Sequence, residues 1–341
     1  MNGPLDGYDA VLLDLDGTVI RGDGIVPGAP EVVGELRQAG RAVQFITNNA
    51  SRAAEDVAKH LTALGVRTAP EEVSTSGQAA VALLASQLPA GAAVLVVGTE
   101  ALVAAVRSVG LRPVAVASER ASERPAAVVQ GHSPETGWAQ LAEACLAIRG
   151  GAMWVACNLD PTLPTERGLL PGNGAMVAAL QAATDREPTV AGKPARPLLD
   201  AAVDRIGAQR PLLVGDRLDT DIAGAVAAGL DSLLVLSGVA DAVALLAAPP
   251  EQRPGHLGAD LRVLCASLEK SRIQARPHWR VEVADGTLLL HGDGAADDPF
   301  DALRALCAAW WIEHTGPVRV RACDDAAARA LDVVGLGETM R

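Results

Sequence analysis

AVLLDLDGT, residues 10–18, is the stretch of sequence on which the fold depends. Its apolar half predicts a buried strand over Ala10–Leu15, and Gly17 predicts a turn directly after that strand. Asp14 and Asp16 therefore stand at the carboxyl end of a strand, the end that faces the ligand crevice in a parallel sheet. Two carboxylates this close repel each other unless a cation lies between them. The stretch predicts a reactive carboxylate pair or, as the alternative, a structural or metal-binding pair in a turn.

The segments on either side alternate between short apolar runs and amphipathic runs. Helices are predicted over Gly28–Ala39 and over Ser51–Leu64, the second capped by its first residue, with a strand over Val43–Thr47 between them. The same alternation returns late in the chain, where the predicted strands are Pro188–Ala191, Pro211–Val214 and Ser232–Leu236. Helices are predicted there over Thr220–Ala228 and Leu261–Leu268. This order is typical of an α/β fold in which helices cover both faces of a parallel sheet.

Three further motifs place polar side chains at predicted strand ends. TNN, residues 47–49, offers hydroxyl, amide and N–H groups that can cradle a phosphate. Lys193, in GKP, provides a compact positive charge in a restrained loop. In GDRLDTD, residues 215–221, Asp216 can bind a metal ion, and Asp221 can orient Lys193 or the waters of the metal. Taken singly, the motifs have ordinary explanations as a helix cap, a surface lysine and an acidic helix start.

In this order, DLDGT, TNN, GKP and GDRLDTD resemble the motifs of the haloacid dehalogenase-like (HAD) superfamily of phosphohydrolases, over about Tyr8 to Leu268. The combination is similar to class IIA, which includes 4-nitrophenyl phosphatases, phosphoglycolate phosphatases, pyridoxal phosphatases and NagD-type nucleotidases. The resemblance implies an α/β fold with a Rossmann-like core and an inserted cap of the C2 type. It also implies an aspartyl-phosphate intermediate and Mg²⁺ as the cofactor.

The same resemblance implies a role for each motif residue. Asp14 is the expected nucleophile, and Asp16 is the expected general acid and base. The expected metal ligands are Asp14, the main-chain carbonyl of Asp16, and Asp216, while Asp221 is expected outside the direct ligands. The expected phosphate-binding residues are Thr47, Asn48 and Lys193. Every motif position is intact, so we expect an active enzyme.

The resemblance also implies how the chain is divided. The predicted catalytic core comprises residues 1–75 and 188–270, the predicted cap residues 76–187, and an appendage residues 278–341. Trp138 and Trp154 are predicted to lie in the cap core. The loop after the predicted strand Met153–Cys157 resembles the substrate-facing loop of the family, and its expected substrate contacts are Asn158, Asp160, Arg167 and Asn173. The alternatives are a plain turn for the loop and a solvated side chain for the arginine.

The cap loop favours a small substrate. No aromatic residue lies between Asn158 and Asn173 to stack on a base or a pyridine ring. The sequence resembles the actinobacterial type of class IIA, which implies glycerol 3-phosphate as the substrate. Phosphoglycolate, pyridoxal phosphate and nucleoside monophosphates remain alternatives, and so does a ligand-sensing protein with a vestigial phosphatase core.

The pattern of the sequence changes after the linker Ser271–Pro277. A hairpin is predicted around Asp285-Gly286, because this dipeptide favours the tight turn between antiparallel strands. The strand and helices predicted after it are Val318–Ala322, Phe300–His314 and Asp325–Val333. Residues 316–336 resemble the last part of a GCN5-related acetyltransferase (GNAT), without the glycine-rich loop of that fold. We therefore expect a small docking, dimerisation or sensing module rather than an acetyltransferase.

Composition excludes several classes of partner. The formal net charge is −12, from 29 Lys and Arg residues against 41 Asp and Glu residues, with no basic run, which argues against nucleic acid and anionic membrane. The five cysteines form no CxxC pair, which predicts buried free thiols in a reducing cytosol. With no targeting or membrane-spanning run, we expect a soluble cytoplasmic protein that acts on a small organic phosphate. A homodimer is left open, because cap-mediated dimers occur in the family.

Overall fold

The computed structural model describes residues 5, 7–116, 124–165, 167–295 and 298–337. The chain forms two compact units. The first comprises Met1–Val43 and Ala208–Arg341, and the second comprises Gln44–Gly207. The predicted α/β class is confirmed, because both units contain parallel strands alternating with helices.

Most of the predicted elements fall close to their predicted positions. The strands are β1 (Ala10–Asp14), β2 (Ile20–Arg21), β3 (Gly24–Ile25), β4 (Ala42–Thr47), β5 (Val73–Thr75), β6 (Ala93–Val97), β7 (Arg112–Val114), β8 (Ala127–Gln130), β9 (Met153–Ala156), β10 (Thr162–Thr165), β11 (Gly168–Pro171), β12 (Thr189–Val190), β13 (Pro211–Gly215), β14 (Asp231–Val235), β15 (His256–Gly258), β16 (Trp279–Ala284), β17 (Thr287–Gly292) and β18 (Arg319–Ala322). The helices are α1 (Ala29–Gln38), α2 (Ala54–Ala63), α3 (Ser76–Ala85), α4 (Glu100–Ser108), α5 (Trp138–Arg149), α6 (Asn173–Thr184), α7 (Pro197–Ile206), α8 (Ala223–Ala228), α9 (Ala242–Ala247), α10 (Pro299–Trp310) and α11 (Asp325–Val333). None of the helices in the described ranges is long and apolar enough to cross a bilayer.

Four parallel strands of the first unit lie in the order β15–β14–β13–β1. In the register of β1 and β13, Val11 lies opposite Leu212 and Leu13 opposite Val214. Every residue of both strands is buried. This explains why the strands read as continuous apolar runs, as buried parallel strands do. The register brings the carboxyl ends of β1 and β13 to the same edge, where Asp14 and Asp216 stand.

The second unit contains a five-stranded parallel sheet in the order β12–β9–β8–β6–β7, and β4 pairs with β5. Successive residues of β6 belong to different hydrophobic clusters, since Val94 packs with α3 and α4 while Leu95 packs with α5 and α6. Helices therefore cover both faces of this sheet. Trp154 is buried in the second cluster, as predicted. The prediction for Trp138 is wrong, because this first residue of α5 is 84% exposed.

The strand predicted before Lys193 is shorter than expected and lies in the second unit. Only Thr189 and Val190 form β12, and they pair with Val155 and Ala156 of β9. The segment that leads to GKP is thus an edge of the five-stranded sheet. The division into core, cap and appendage at the predicted boundaries stays a prediction.

Three predicted helices begin or proceed differently. Ser51 does not cap α2, which begins at Ala54, because the Ser51 hydroxyl and N–H both bond to Asn49. The predicted helix Thr220–Ala228 opens with a wide turn over Leu218–Ile222 before α8. Leu261–Leu268 forms 3₁₀ turns instead of an α-helix, since the chain is extended at Ala266.

The predicted appendage forms a mixed three-stranded sheet, β16–β17–β18, with α10 and α11. Its hairpin turns at Asp285 (φ 47°) and Gly286 (φ 68°), as the sequence predicts. Its apolar side chains share one hydrophobic cluster with β14, α9 and β15 of the first unit, through residues such as Leu303, Leu245 and Leu257. The appendage is therefore part of the core of the first unit.

Candidate active site

Three carboxylates converge at the carboxyl edge of the strands in the first unit. Asp14 ends β1, Asp216 follows β13, and Asp221 lies in the turn Leu218–Ile222. Their exposed fractions are 7%, 0% and 1%, and one oxygen of each lies within 4.8 Å of the others. Burial and mutual repulsion both disfavour three negative charges so close together, and a bound cation would relieve both effects.

The carboxylate of Asp216 lies in a cradle of main-chain atoms. The N–H of Val239 donates to Asp216 Oδ2 at 2.7 Å, and the N–H of Ala240 donates to the main-chain carbonyl of Asp216 at 3.0 Å. A Cβ on Gly238 would lie 1.9 Å from Oδ2, and a Cβ on Gly17 would lie 2.2 Å from it. Gly17 also has φ 92°, in the left-handed region. Both glycines are thus required for the backbone to approach Asp216.

Asp221 is held in the same manner. Its Oδ2 accepts from the N–H of Arg217 at 3.1 Å, and a Cβ on Gly215 would lie 2.4 Å from the same oxygen. The sequence interpretation placed Asp221 outside the direct ligands, whereas the structure brings its carboxylate among those of Asp14 and Asp216. The spacing between the Asp221 carboxylate and those of Asp14 and Asp216 suits direct binding of a metal ion as well as the predicted indirect role.

Two other acidic residues lie outside this group. Asp219 is exposed and forms an ion pair with Arg217 at 2.7 Å. Burial acts to raise the pKa of Asp219, but the hydrogen bond and charge of Arg217 outweigh it and lower that pKa below its usual value. Asp16 is also exposed, beyond the end of β1, in the turn that the Gly17 N–H closes on the carbonyl of Ile20 at 2.7 Å.

The donor set fits a hard divalent cation. Carboxylate oxygens are the ligands that Mg²⁺ prefers, and it commonly binds one or two carboxylates together with a phosphate and several waters. The burial and spacing of Asp14, Asp216 and Asp221 meet this requirement without histidine or cysteine.

In the second unit, the Asn48 side chain forms two hydrogen bonds with the main chain of Lys193. Its Oδ1 accepts from the Lys193 N–H at 2.8 Å, and its Nδ2 donates to the Lys193 carbonyl at 3.0 Å. Nδ2 also lies 3.2 Å from a carboxylate oxygen of Asp160. A Cβ on Gly192 would lie 2.6 Å from Asn48 Oδ1, which explains the glycine of GKP. Lys193 itself is only 2% exposed.

Two buried asparagines of the predicted cap loop extend this network. Asn158 donates to the carbonyl of Asn48 at 2.6 Å, and Asn173 donates to the carbonyl of Asn158 at 2.7 Å. Asn158 also accepts from the N–H of Asp160 at 3.2 Å. The structure thus brings these three cap residues together with Asn48. Their predicted substrate contacts stay a prediction.

Thr47 and Arg167 lie in different surroundings. Thr47 is buried at the end of β4, and its hydroxyl accepts from the N–H of Asn49 at 3.0 Å. Arg167 is exposed in the turn between β10 and β11, where its own N–H donates to Thr165 Oγ1 at 3.2 Å. The structure does not bring Arg167 into the asparagine network.

The five cysteines are free thiols, as predicted, but only Cys157 and Cys307 are buried, and Cys323 is exposed. Cys157 directly follows β9 next to the asparagine network, and its complete burial raises the pKa of its thiol to about 12. A thiol with this pKa is protonated at neutral pH and is a poor nucleophile. Cys157 therefore has a packing role.

Family models match most of the chain. A model for "haloacid dehalogenase-like hydrolase" matches residues 11–112, and a second HAD-hydrolase-like model matches residues 190–264. A GCN5-related N-acetyltransferase-like domain model matches residues 276–336, in agreement with the predicted appendage.

Known proteins are similar over two thirds of this chain or more. A D-glycerol 3-phosphate phosphatase of Mycobacterium tuberculosis is 49% identical over 335 residues, which cover 95% of this chain and 93% of that protein. A 5′-nucleotidase of Bacillus subtilis is 36% identical, covering 68% of this chain and 88% of its own. The crystal structure of a glycerol phosphate phosphatase from M. tuberculosis in complex with magnesium superposes with a TM-score of 0.92 at 49% identity, covering 98% of this chain and 99% of that one.

Proposed function

This chain belongs to the haloacid dehalogenase-like hydrolases and is a phosphatase of that family, and we propose that it hydrolyses glycerol 3-phosphate with the help of Mg²⁺. The observation that carries the proposal is the buried group of Asp14, Asp216 and Asp221, which offers a nucleophile and a cation site together. The substrate is taken from the 49% identical relative that is named for it and from the absence of aromatic residues in the cap loop.

The proposed reaction has two steps. A carboxylate oxygen of Asp14 bonds to phosphorus as the bond from phosphorus to the glycerol oxygen breaks, and Asp16 gives its proton to that oxygen. Asp16 then takes a proton from water, and the water oxygen bonds to phosphorus as the bond to Asp14 breaks. The exposure of Asp16 suits this exchange of protons with substrate and water. Mg²⁺, when bound, offsets the negative charge on the phosphoryl oxygens.

The remaining site residues have proposed roles in binding. Asp14, Asp216 and the main-chain carbonyl of Asp16 hold the metal ion, and the carboxylate of Asp221 completes or orients that set. Thr47, Asn48 and Lys193 bind the phosphate. The role of Lys193 is supported by its compact charge and its restrained main chain. The role of Asn48 is supported by its two hydrogen bonds to the main chain of Lys193.

Substrate selection is proposed to lie in the cap loop, through Asn158, Asp160, Asn173 and, at its exposed turn, Arg167. We propose the same division into core, cap and appendage that the sequence predicts. The five free thiols favour a reducing, cytoplasmic location.

The test is phosphate release from glycerol 3-phosphate, phosphoglycolate, pyridoxal phosphate and a nucleoside monophosphate, with and without Mg²⁺. We expect the highest kcat/KM on glycerol 3-phosphate and a loss of about 10⁴-fold or more in Asp14→Asn, because the variant lacks the nucleophile. Asp219→Asn is the matched control, since this exposed carboxylate pairs with Arg217, and it should keep near-normal activity.

The outcomes separate the parts of the proposal. A higher kcat/KM on a nucleotide or on pyridoxal phosphate would overturn the substrate but leave the phosphatase chemistry. Full activity in Asp14→Asn would overturn the nucleophile. No release from any of the four compounds by the folded protein would favour the ligand-sensing alternative.

A further inference from the structure

Helix α9 connects the cradle of Asp216 to the appendage. Gly238, Val239 and Ala240, which surround Asp216, lead directly into this helix. Asp241 caps its first turn, with Oδ1 accepting from the N–H of Ala244 at 2.8 Å. The cradle and α9 are thus one continuous segment, and a shift of the helix would move the N–H groups that hold Asp216.

The appendage provides hydrogen-bond donors for the other end of α9. The last carbonyls of a helix have no partner within it and need donors from elsewhere. Trp311 Nε1 donates to the carbonyl of Leu246 at 3.2 Å, and the Gly316 N–H donates to that of Ala247 at 3.2 Å. Arg253 donates to Ala248 at 3.1 Å.

Arg253 also fastens the appendage to this end. Its two terminal nitrogens donate to the carbonyl of Trp311 at 3.0 Å and to that of His314 at 2.7 Å. Its guanidinium carbon lies 5.2 Å from the centre of the Trp311 ring, within the range of a cation–π contact. One side chain thus joins α9 to the segment that follows α10.

Apolar packing couples the same parts. Leu245 and Leu246 of α9 are fully or almost fully buried, and they belong to one hydrophobic cluster with Leu303 of α10. Leu218 and Ile222, which border the turn that carries Asp221, belong to that cluster too. The appendage therefore packs in the same cluster as the helix next to the cradle of Asp216 and the turn that carries Asp221.

We propose that the appendage is a positioning element for the metal centre. By binding the carboxyl end of α9, it fixes the segment whose opposite end holds Asp216. A six-residue helix has little stability of its own, so its place depends on such anchoring. Trp311 and Arg253 are positioning residues in this sense. The inference rests on the magnesium site of the proposed function.

The test is the dissociation constant for Mg²⁺, measured by calorimetry without substrate on the full-length protein. Trp311→Phe keeps an aromatic ring but removes the indole N–H donor, and Arg253→Lys removes the paired bonds to Trp311 and His314. We expect the dissociation constant to rise about 10-fold, the low end of the effect of altering groups that orient metal ligands. Ile312→Thr is the matched control, because Ile312 is 78% exposed beside Trp311, and it should bind like wild type.

Unchanged Mg²⁺ affinity in the folded variants would overturn the inference, even if their melting temperatures fall. Absence of Mg²⁺ binding by wild type would instead contradict the proposed function. A second test uses wild-type protein alone and so does not depend on the folding of the variants. It measures hydrogen exchange at rising denaturant concentration. The Val239 and Ala240 amides should lose protection no later than residues 310–316. Amides that stay protected after that segment opens would also overturn the proposal.

Discussion

Asn48 holds both polar main-chain groups of Lys193, at 2.8 Å and 3.0 Å. Without this amide, a buried N–H and a buried carbonyl would lose their partner, which commonly costs about 1–3 kcal/mol each. The loop around Lys193 would then shift to find other partners. Because charge stabilisation depends on where the ammonium lies relative to the phosphate, such a shift matters more for activity than for folding.

We therefore predict that Asn48→Ala lowers kcat/KM on glycerol 3-phosphate by about 100-fold, the effect of a displacement of about 1 Å in a catalytic group. Steady-state phosphate release measures this effect. Asn49→Ala is the control, since Asn49 bonds Ser51 rather than Lys193, and its effect should be far smaller. Equal activity of the two variants would show that the grip on Lys193 is unimportant.

Functional residues at strand ends could be predicted because each one follows an apolar run that is visible in the neighbouring sequence. Asp14 and Asp216 were found in this way. The cradle could not be predicted, because it depends on the approach of Gly17 and Gly238, which are far apart in the chain. The closeness of Asp221 to the other carboxylates was missed for the same reason. The only local signal for Gly238 is a small residue just after an apolar strand.

Among the elements, buried strands could be predicted most closely. β13 begins at its predicted first residue, Pro211, and ends one residue beyond its predicted end, because a parallel strand buried on both faces is a continuous apolar run. The start of α2 was misplaced by three residues because Ser51 is also a good partner for Asn49. The apolar pattern of the sequence identified β12 as a strand. The sheet to which β12 belongs depends on its pairing with β9, which sequence alone does not specify.

The edge strand β15 carries a buried titratable group, His256, which is 4% exposed. Its Nδ1 lies 3.0 Å from Ser271 Oγ, and that hydroxyl donates to the carbonyl of Leu268. Nδ1 is thus the donor in its bond with Ser271. Burial lowers the pKa of His256 below 6.5, and the charge of Arg272 acts in the same direction.

The lowered pKa predicts a dependence of stability on pH. Between its folded pKa and about 6.5, the unfolded chain binds more protons at His256 than the folded protein does. The free energy of unfolding should therefore fall as the pH drops below about 6.5, and this contribution should be constant above that pH. His256→Asn keeps a donor for Ser271 but does not titrate, so denaturant unfolding should show a shallower decline with acid. An identical decline would exclude His256 as a cause.

At the scale of the whole molecule, local patterns show which residues are buried but not what they pack against. The change of texture near His278 correctly predicted a structural addition with its own small sheet. Its helix α10 nonetheless packs with α9 and β15, and its buried Arg304 donates two hydrogen bonds to the carbonyl of Leu257, at 3.1 Å and 2.8 Å. The appendage and the strands of the first unit therefore share their stabilising contacts.

This sharing predicts that Arg304→Met destabilises the first unit as a whole. Arg304 is 3% exposed and also binds Asp298 and Asp301, each at 2.7 Å, so its loss removes two ion pairs as well as the two hydrogen bonds to Leu257. The expected cost is about 2–4 kcal/mol. Arg280→Met is the control, because its exposed pair with Glu282 should contribute less than about 1 kcal/mol. Hydrogen exchange should show protection falling in β13–β15 as much as in α10. A loss confined to the appendage would mean that it unfolds independently.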